Sequence, residues 1–185
     1  MGFNEQLNRR LINVLKVDTD STVYMGIISV LHQIVHRKKM HTISYTKEDV
    51  SADGTLLVRV IASNDKDVHA RISFNGENKT RLKSYIGTTY TLDGADYQPF
   101  NRQTSSGNTL EAEIQIDPTV DVIGTLRGND FIGSGAAGAR AEGTGQADIE
   151  TIINAGTELL LEVVNAGAVS SDLGIIVNLY ERNKI

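Results

Sequence analysis

From residue 110 to 116 apolar and polar side chains alternate without a break. Leu110, Ala112, Ile114 and Ile116 hold one parity; Glu111, Glu113 and Gln115 hold the other. A period of two places the first set on the buried face of a β-strand and the second in water. TLLVRVI (55–61), VHARISF (68–74) and RLKSYI (81–86) repeat that period, and ELLLEVV (158–164) and GIIVNLYE (174–181) are further β-rich runs. Weaker strands are predicted at HTISYT (41–46), TVDVIGTL (119–126) and DIETII (148–153). Turn residues separate these runs, at Ala52-Asp53-Gly54, Asn75-Gly76, Asp93-Gly94, Ser106-Gly107, Asn154-Ala155-Gly156 and Asn165-Ala166-Gly167. Eight or nine short strands with no helix between them predict a mainly β domain, an antiparallel sandwich or a closed barrel. Eight strands in two sheets is the jelly-roll count.

Before residue 42 the period changes. Phe3, Leu7, Leu11 and Val14 recur at spacings of four, four and three, and so do Val23, Ile27, Leu31 and Ile34. That draws an apolar stripe on each of two helices, with Asp18-Thr19-Asp20-Ser21 as turn and N-cap between them. Leu15/Val17 and Val23/Met25/Ile27 also alternate, so an extended reading fits equally. In either form the segment shows apolar surface in need of a partner. The chain therefore divides into an N-terminal arm (1–41), partly helical or extended, and a sandwich (42–185).

The most chemistry-like string is GSGAAG (133–138), a match to G-x-G-x-x-G. A dinucleotide site needs a strand before that pattern, a helix after it and a βαβ unit around it. Here AGARAEGTGQ follows, and each glycine costs a helix about 1 kcal/mol against alanine. The glycines instead predict a long loop over 124–146, and loops of that length in compact domains tend to be functional. Arg127, Phe131, Ile132 and Arg140 in that stretch are residue types used as interface anchors.

The formal net charge of −5 makes nucleic acid a poor partner, and His36-Arg37-Lys38-Lys39 is too small a cluster to reverse that. With no cysteine there is neither a disulfide framework nor a thiolate metal site. The most apolar window, Val23 to Val35, is too short to span a membrane, and production in a cytosol is expected. His32 and His36 have zincin-like spacing, with His41 close by, but Gln33 stands where the catalytic glutamate belongs. No Ser-His-Asp or paired-carboxylate constellation is visible, so no enzyme and no cofactor are expected. A glycan- or receptor-binding module, of head-fibre or adhesin type, is the alternative; it requires a surface built from Tyr85, Tyr90 and Tyr97.

A resemblance is carried by the order RRLINVLKVDTDS, VLHQIVHRKKMHTISY, ADGTLLVRV, DVHARISF, PFNRQTSS, DVIGTL, a glycine-rich loop with a basic residue, NAGTELLLEVVNAGA and IVNLYE. It covers residues 9 to 181 and is similar to the capsid decoration (cement, head-stabilising) proteins of tailed bacteriophages. Those proteins tend to carry tryptophan where this chain has Asp148-Ile149 and Leu179. The resemblance implies a jelly-roll-like sandwich with an N-terminal arm, and a virion protein on the capsid surface, assembled in the host cytoplasm. It also implies a homotrimer bound to the major capsid protein, with Phe3, Leu7, Arg10 and Leu11 of the arm joining Arg127, Phe131, Ile132 and Arg140 as contacts.

Overall fold

The computed structural model describes residues 37, 39–132 and 149–183. Among the described residues thirteen strands form, all in antiparallel pairs: β1 (His41–Val50), β2 (Thr55–Ile61), β3 (Lys66–Gly76), β4 (Thr80–Ile86), β5 (Thr89–Leu92), β6 (Ala95–Asp96), β7 (Phe100–Asn101), β8 (Glu113–Ile116), β9 (Thr119–Val122), β10 (Thr125–Ile132), β11 (Ile149–Ile153), β12 (Glu158–Asn165) and β13 (Ser171–Asn183). Among the described residues there is no helix, and so none long and apolar enough to cross a membrane. Both helical stripes of the arm, and GSGAAG, lie outside the described residues.

One sheet runs β11-β3-β13-β1-β7 and the other β10-β4-β12-β2-β8-β6; β5 and β9 pair apart as a two-stranded ribbon. Of the eight longer-range strands, β1, β3, β11 and β13 lie in the first sheet and β2, β4, β10 and β12 in the second. Every connection among them except β4 to β10 therefore crosses from sheet to sheet. Period two supplies the core: Ile43, Ile72, Phe74, Ile175, Val177 and Leu179 meet Leu56, Val58, Val60, Leu82, Leu161 and Val163. The ladder between β13 and β3 runs from Leu173 opposite Gly76 to Asn183 opposite Lys66 and forms the spine of its sheet. In the Asn154-Ala155-Gly156 turn, Gly156 adopts φ +71°, a conformation that glycine takes at no steric cost.

Three expectations need correction. Residues 125–132, expected within the long loop, form β10 instead, paired with β4 from Thr125 opposite Ile86 to Ile132 opposite Thr80, and the rest of that stretch lies outside the described residues. A register shift between Leu126 and Gly128 breaks the period of two and disguises the strand. The expected strand at 119–126 is two, turning at Ile123-Gly124, where a Cβ on Gly124 would fall on the Ile86 carbonyl. Gln115 is buried, not solvated, because β6 pairs with β8 and Arg59 binds the amide oxygen.

Candidate interaction surface

The outer face of the second sheet carries a charged lattice. Along β2 the inward residues are Leu56, Val58 and Val60, which leaves Arg59 pointing outward. Its Nε and Nη2 donate to Glu158 Oε2 at 2.8 and 2.6 Å, and Nη1 donates to Asp93 Oδ1 at 2.8 Å and Gln115 Oε1 at 2.9 Å. The Tyr90 ring lies 4.0 Å from the guanidinium carbon, a cation–π contact. Burial, reinforced by the Glu158 charge, pushes the Tyr90 hydroxyl up to about 12, with Arg59 and Thr88 opposing. One strand over, Glu162 Oε2 accepts from Lys83 Nζ and Tyr85 Oη, each at 3.0 Å. Burial, then Glu162, raises the Tyr85 pKa; for Lys83 the carboxylate outweighs the burial that opposes the charge.

This lattice roots the β5–β9 ribbon. Chain leaving β4 through Gly87 and chain leaving β8 through Asp117-Pro118 quit the sheet and pair with each other, Thr89 opposite Val122 and Leu92 opposite Thr119. Tyr90 and Asp93 grip Arg59 below, whereas Leu92, Val122 and Ile123 stand 66, 59 and 50 % exposed. Leu126, at the start of β10, is likewise exposed. A ribbon that anchors through polar groups and shows water its aliphatic ones has the composition of a contact surface.

The expected contact residues divide into two groups. Arg127, Phe131 and Ile132 share β10. Phe131 is half exposed, with Lys79 Nζ 5.0 Å and the Arg81 guanidinium 6.0 Å from its ring, a basic-aromatic cluster on the same outer face. Ile132 packs against the core edge instead, and Arg127 borders the opening between the two sheets. Phe3, Leu7, Arg10, Leu11 and Arg140 lie outside the described residues.

The tyrosine platform does not assemble. Tyr85 is buried against Glu162, Tyr90 stacks on Arg59, and Tyr97 turns toward the first sheet, meeting Tyr45 edge-on at 6.3 Å and donating to the Ser44 carbonyl. His69 stacks on Tyr180 at 4.6 Å. His41 Nε2 lies 3.1 Å from the Asn108 carbonyl, beside a polar hollow of about 600 Å³ whose Lys66 is already paired with Glu111 and Glu181. His32 and His36 are outside the described residues, and among those described no three His, Asp or Glu side chains converge on a metal position.

Sequence reasoning missed the Arg59 centre. An arginine inside an apolar strand was a signal, but its partners Asp93, Gln115 and Glu158 lie 34, 56 and 99 residues away. No family model, no curated protein and no solved structure matches this chain.

Proposed function

We propose that the protein is a structural virion component that decorates a tailed-phage capsid, binding the major capsid protein at many equivalent sites as a homotrimer. The observation that carries this reading is the exposure of four aliphatic side chains, Leu92 and Val122 on a ribbon whose root is fixed by Arg59, and Ile123 and Leu126 just after it. Its preorganised root favours binding, since little ordering remains to be done on contact. The strand order, with eight strands crossing between two sheets, supports a jelly-roll-like reading of the sandwich. The resemblance read from the sequence points the same way. In this reading the ribbon and β10 bear on the capsid while the arm grips a neighbouring subunit. A contact of about 1,600 Å² is the usual size for such a specific interface.

Co-sedimentation with capsids of the phage that encodes the chain is the test. The full-length protein pellets with expanded heads, and a variant lacking residues 1–20 stays in the supernatant while unfolding at the same urea concentration. Full decoration by the shortened chain overturns the arm's role; absence of the protein from purified virions overturns the function itself.

A further inference from the structure

Charge is spread unevenly along the chain. Residues 84–126 carry six carboxylates (Asp93, Asp96, Glu111, Glu113, Asp117 and Asp121) and one cation, Arg102, a net of −5. That equals the formal charge of the whole chain, so the remaining seventeen cations and seventeen carboxylates balance. In the fold this stretch contains the ribbon, the β6–β8 end of the second sheet and β7 of the first. Arg59, Lys47 and Lys66 of other strands take up Asp93, Asp117 and Glu111. Asp96, Glu113 and Asp121 are exposed and pair with none of the described cations. Five of the nine large apolar side chains exposed among the described residues, Leu92, Phe100, Val122, Ile123 and Leu126, belong to the same stretch, so its acidity coincides with apolar exposure.

The other end of the second sheet has the opposite sign. Lys79 and Arg81 flank Phe131 there and pair with none of the described carboxylates. Both poles lie on one face. Outward-pointing Arg59 binds Gln115, Gln115 lies opposite Asp96, and Glu113 shares its parity two residues away on β8. From Arg81 to Asp96 is four strand spacings across and four residues along, through the registers Arg81–Val164–Thr55 and Arg59–Gln115–Asp96, roughly 23 Å. That is more than twice the Debye length of about 8 Å at physiological salt, so neither pole neutralises the other. The carboxylates are also dispersed, no three of the described His, Asp or Glu side chains converging on a metal position, so they suit separate ammonium or guanidinium groups rather than one ion. We infer that this face docks on a capsid-protein surface of opposite polarity: lysine or arginine among aliphatic side chains against Asp96, Glu113 and Asp121, and carboxylates against Lys79 and Arg81. The inference rests on the proposed function and supplies the chemistry of its partner. Two poles of opposite sign also fix one orientation of docking, because the reversed placement sets like charges together.

Association of the full-length chain with capsids that lack it, followed by light scattering at low and high salt, tests this. Asp96→Lys with Asp121→Lys, and separately Lys79→Glu with Arg81→Glu, should each slow association about tenfold or more in about 0.01 M salt, where the Debye length is about 30 Å, and little in about 1 M salt, where it is about 3 Å. Glu48→Lys with Glu150→Lys, on β1 and β11 of the first sheet, makes the same change of net charge as the first pair and leaves the rate unaltered. Equal slowing by this pair reduces the effect to net charge and overturns the inference. Binding whose rate responds to neither reversal nor salt overturns it too and leaves the decoration reading standing. No binding by the unaltered protein overturns both. Self-association of the free chain that either reversal abolishes assigns the poles to contact between copies and overturns the capsid surface as their partner.

Discussion

Asn165 ends β12 fully buried, and its carboxamide fastens three segments at once. Nδ2 faces the carbonyls of Val50, Ser51 and Val169 at 2.9, 3.1 and 2.8 Å, while Oδ1 accepts from the Gly167 amide at 3.0 Å. Asn165→Ala leaves buried carbonyls without a donor, and should lower stability by about 2–4 kcal/mol, read as a shifted urea midpoint with unchanged slope. Asn-Ala-Gly was legible as a turn, but the partners at Val50 and Ser51 sit more than a hundred residues away and no local pattern announces them. Tyr90 gives a second prediction. Its hydroxyl is held up to about 12 in the fold but ionises near 10 when unfolded. Its contribution is intact below pH 10, where both states are protonated, and drains away between 10 and 12 as only the unfolded state releases its proton. Absorbance titration near 295 nm should show a late tyrosinate step that Tyr90→Phe abolishes; a titration complete by pH 11 in the native protein contradicts it.

Element by element, the strands legible in the sequence were those with one wet and one dry face. β2, β4 and β8 belong to this group, although Gln115 turned out to be covered. ELLLEVV was legible as a strand, but its three leucines hid a division of labour. Leu159 and Leu161 enter the core, while Leu160, equally buried, faces outward between Arg59 and Tyr85. β10 was concealed for the opposite reason: its bulge shifts parity midway and its glycine-rich continuation suggested loop throughout. Of the ribbon only β9 was legible, inside the strand expected at 119–126; β5 and the pairing were not, because neither partner reaches a core and the segments lie about thirty residues apart. Its exposure makes it testable. Leu92→Ser with Val122→Ser should change stability by less than about 0.5 kcal/mol, since neither side chain is buried. The same pair should weaken capsid retention about tenfold or more, measured by co-sedimentation against added salt-matched competitor.

At the scale of the whole molecule, both sheets share one core. A homotrimer predicts three chain masses in light scattering across a tenfold dilution; a single chain mass removes the trimer from the proposed function and leaves the fold untouched. The sequence by itself determined the strand-rich class, most strand positions and the inward parity of the core, because a period of two is a local property written in neighbouring residues. Tertiary structure alone decided which strands share a sheet, that Arg59 gathers Asp93, Gln115 and Glu158, and that Leu92 and Val122 of the ribbon stay in water. Those outcomes depend on contacts between distant segments, whose free energy is set by mutual burial and charge rather than by any pattern along the chain.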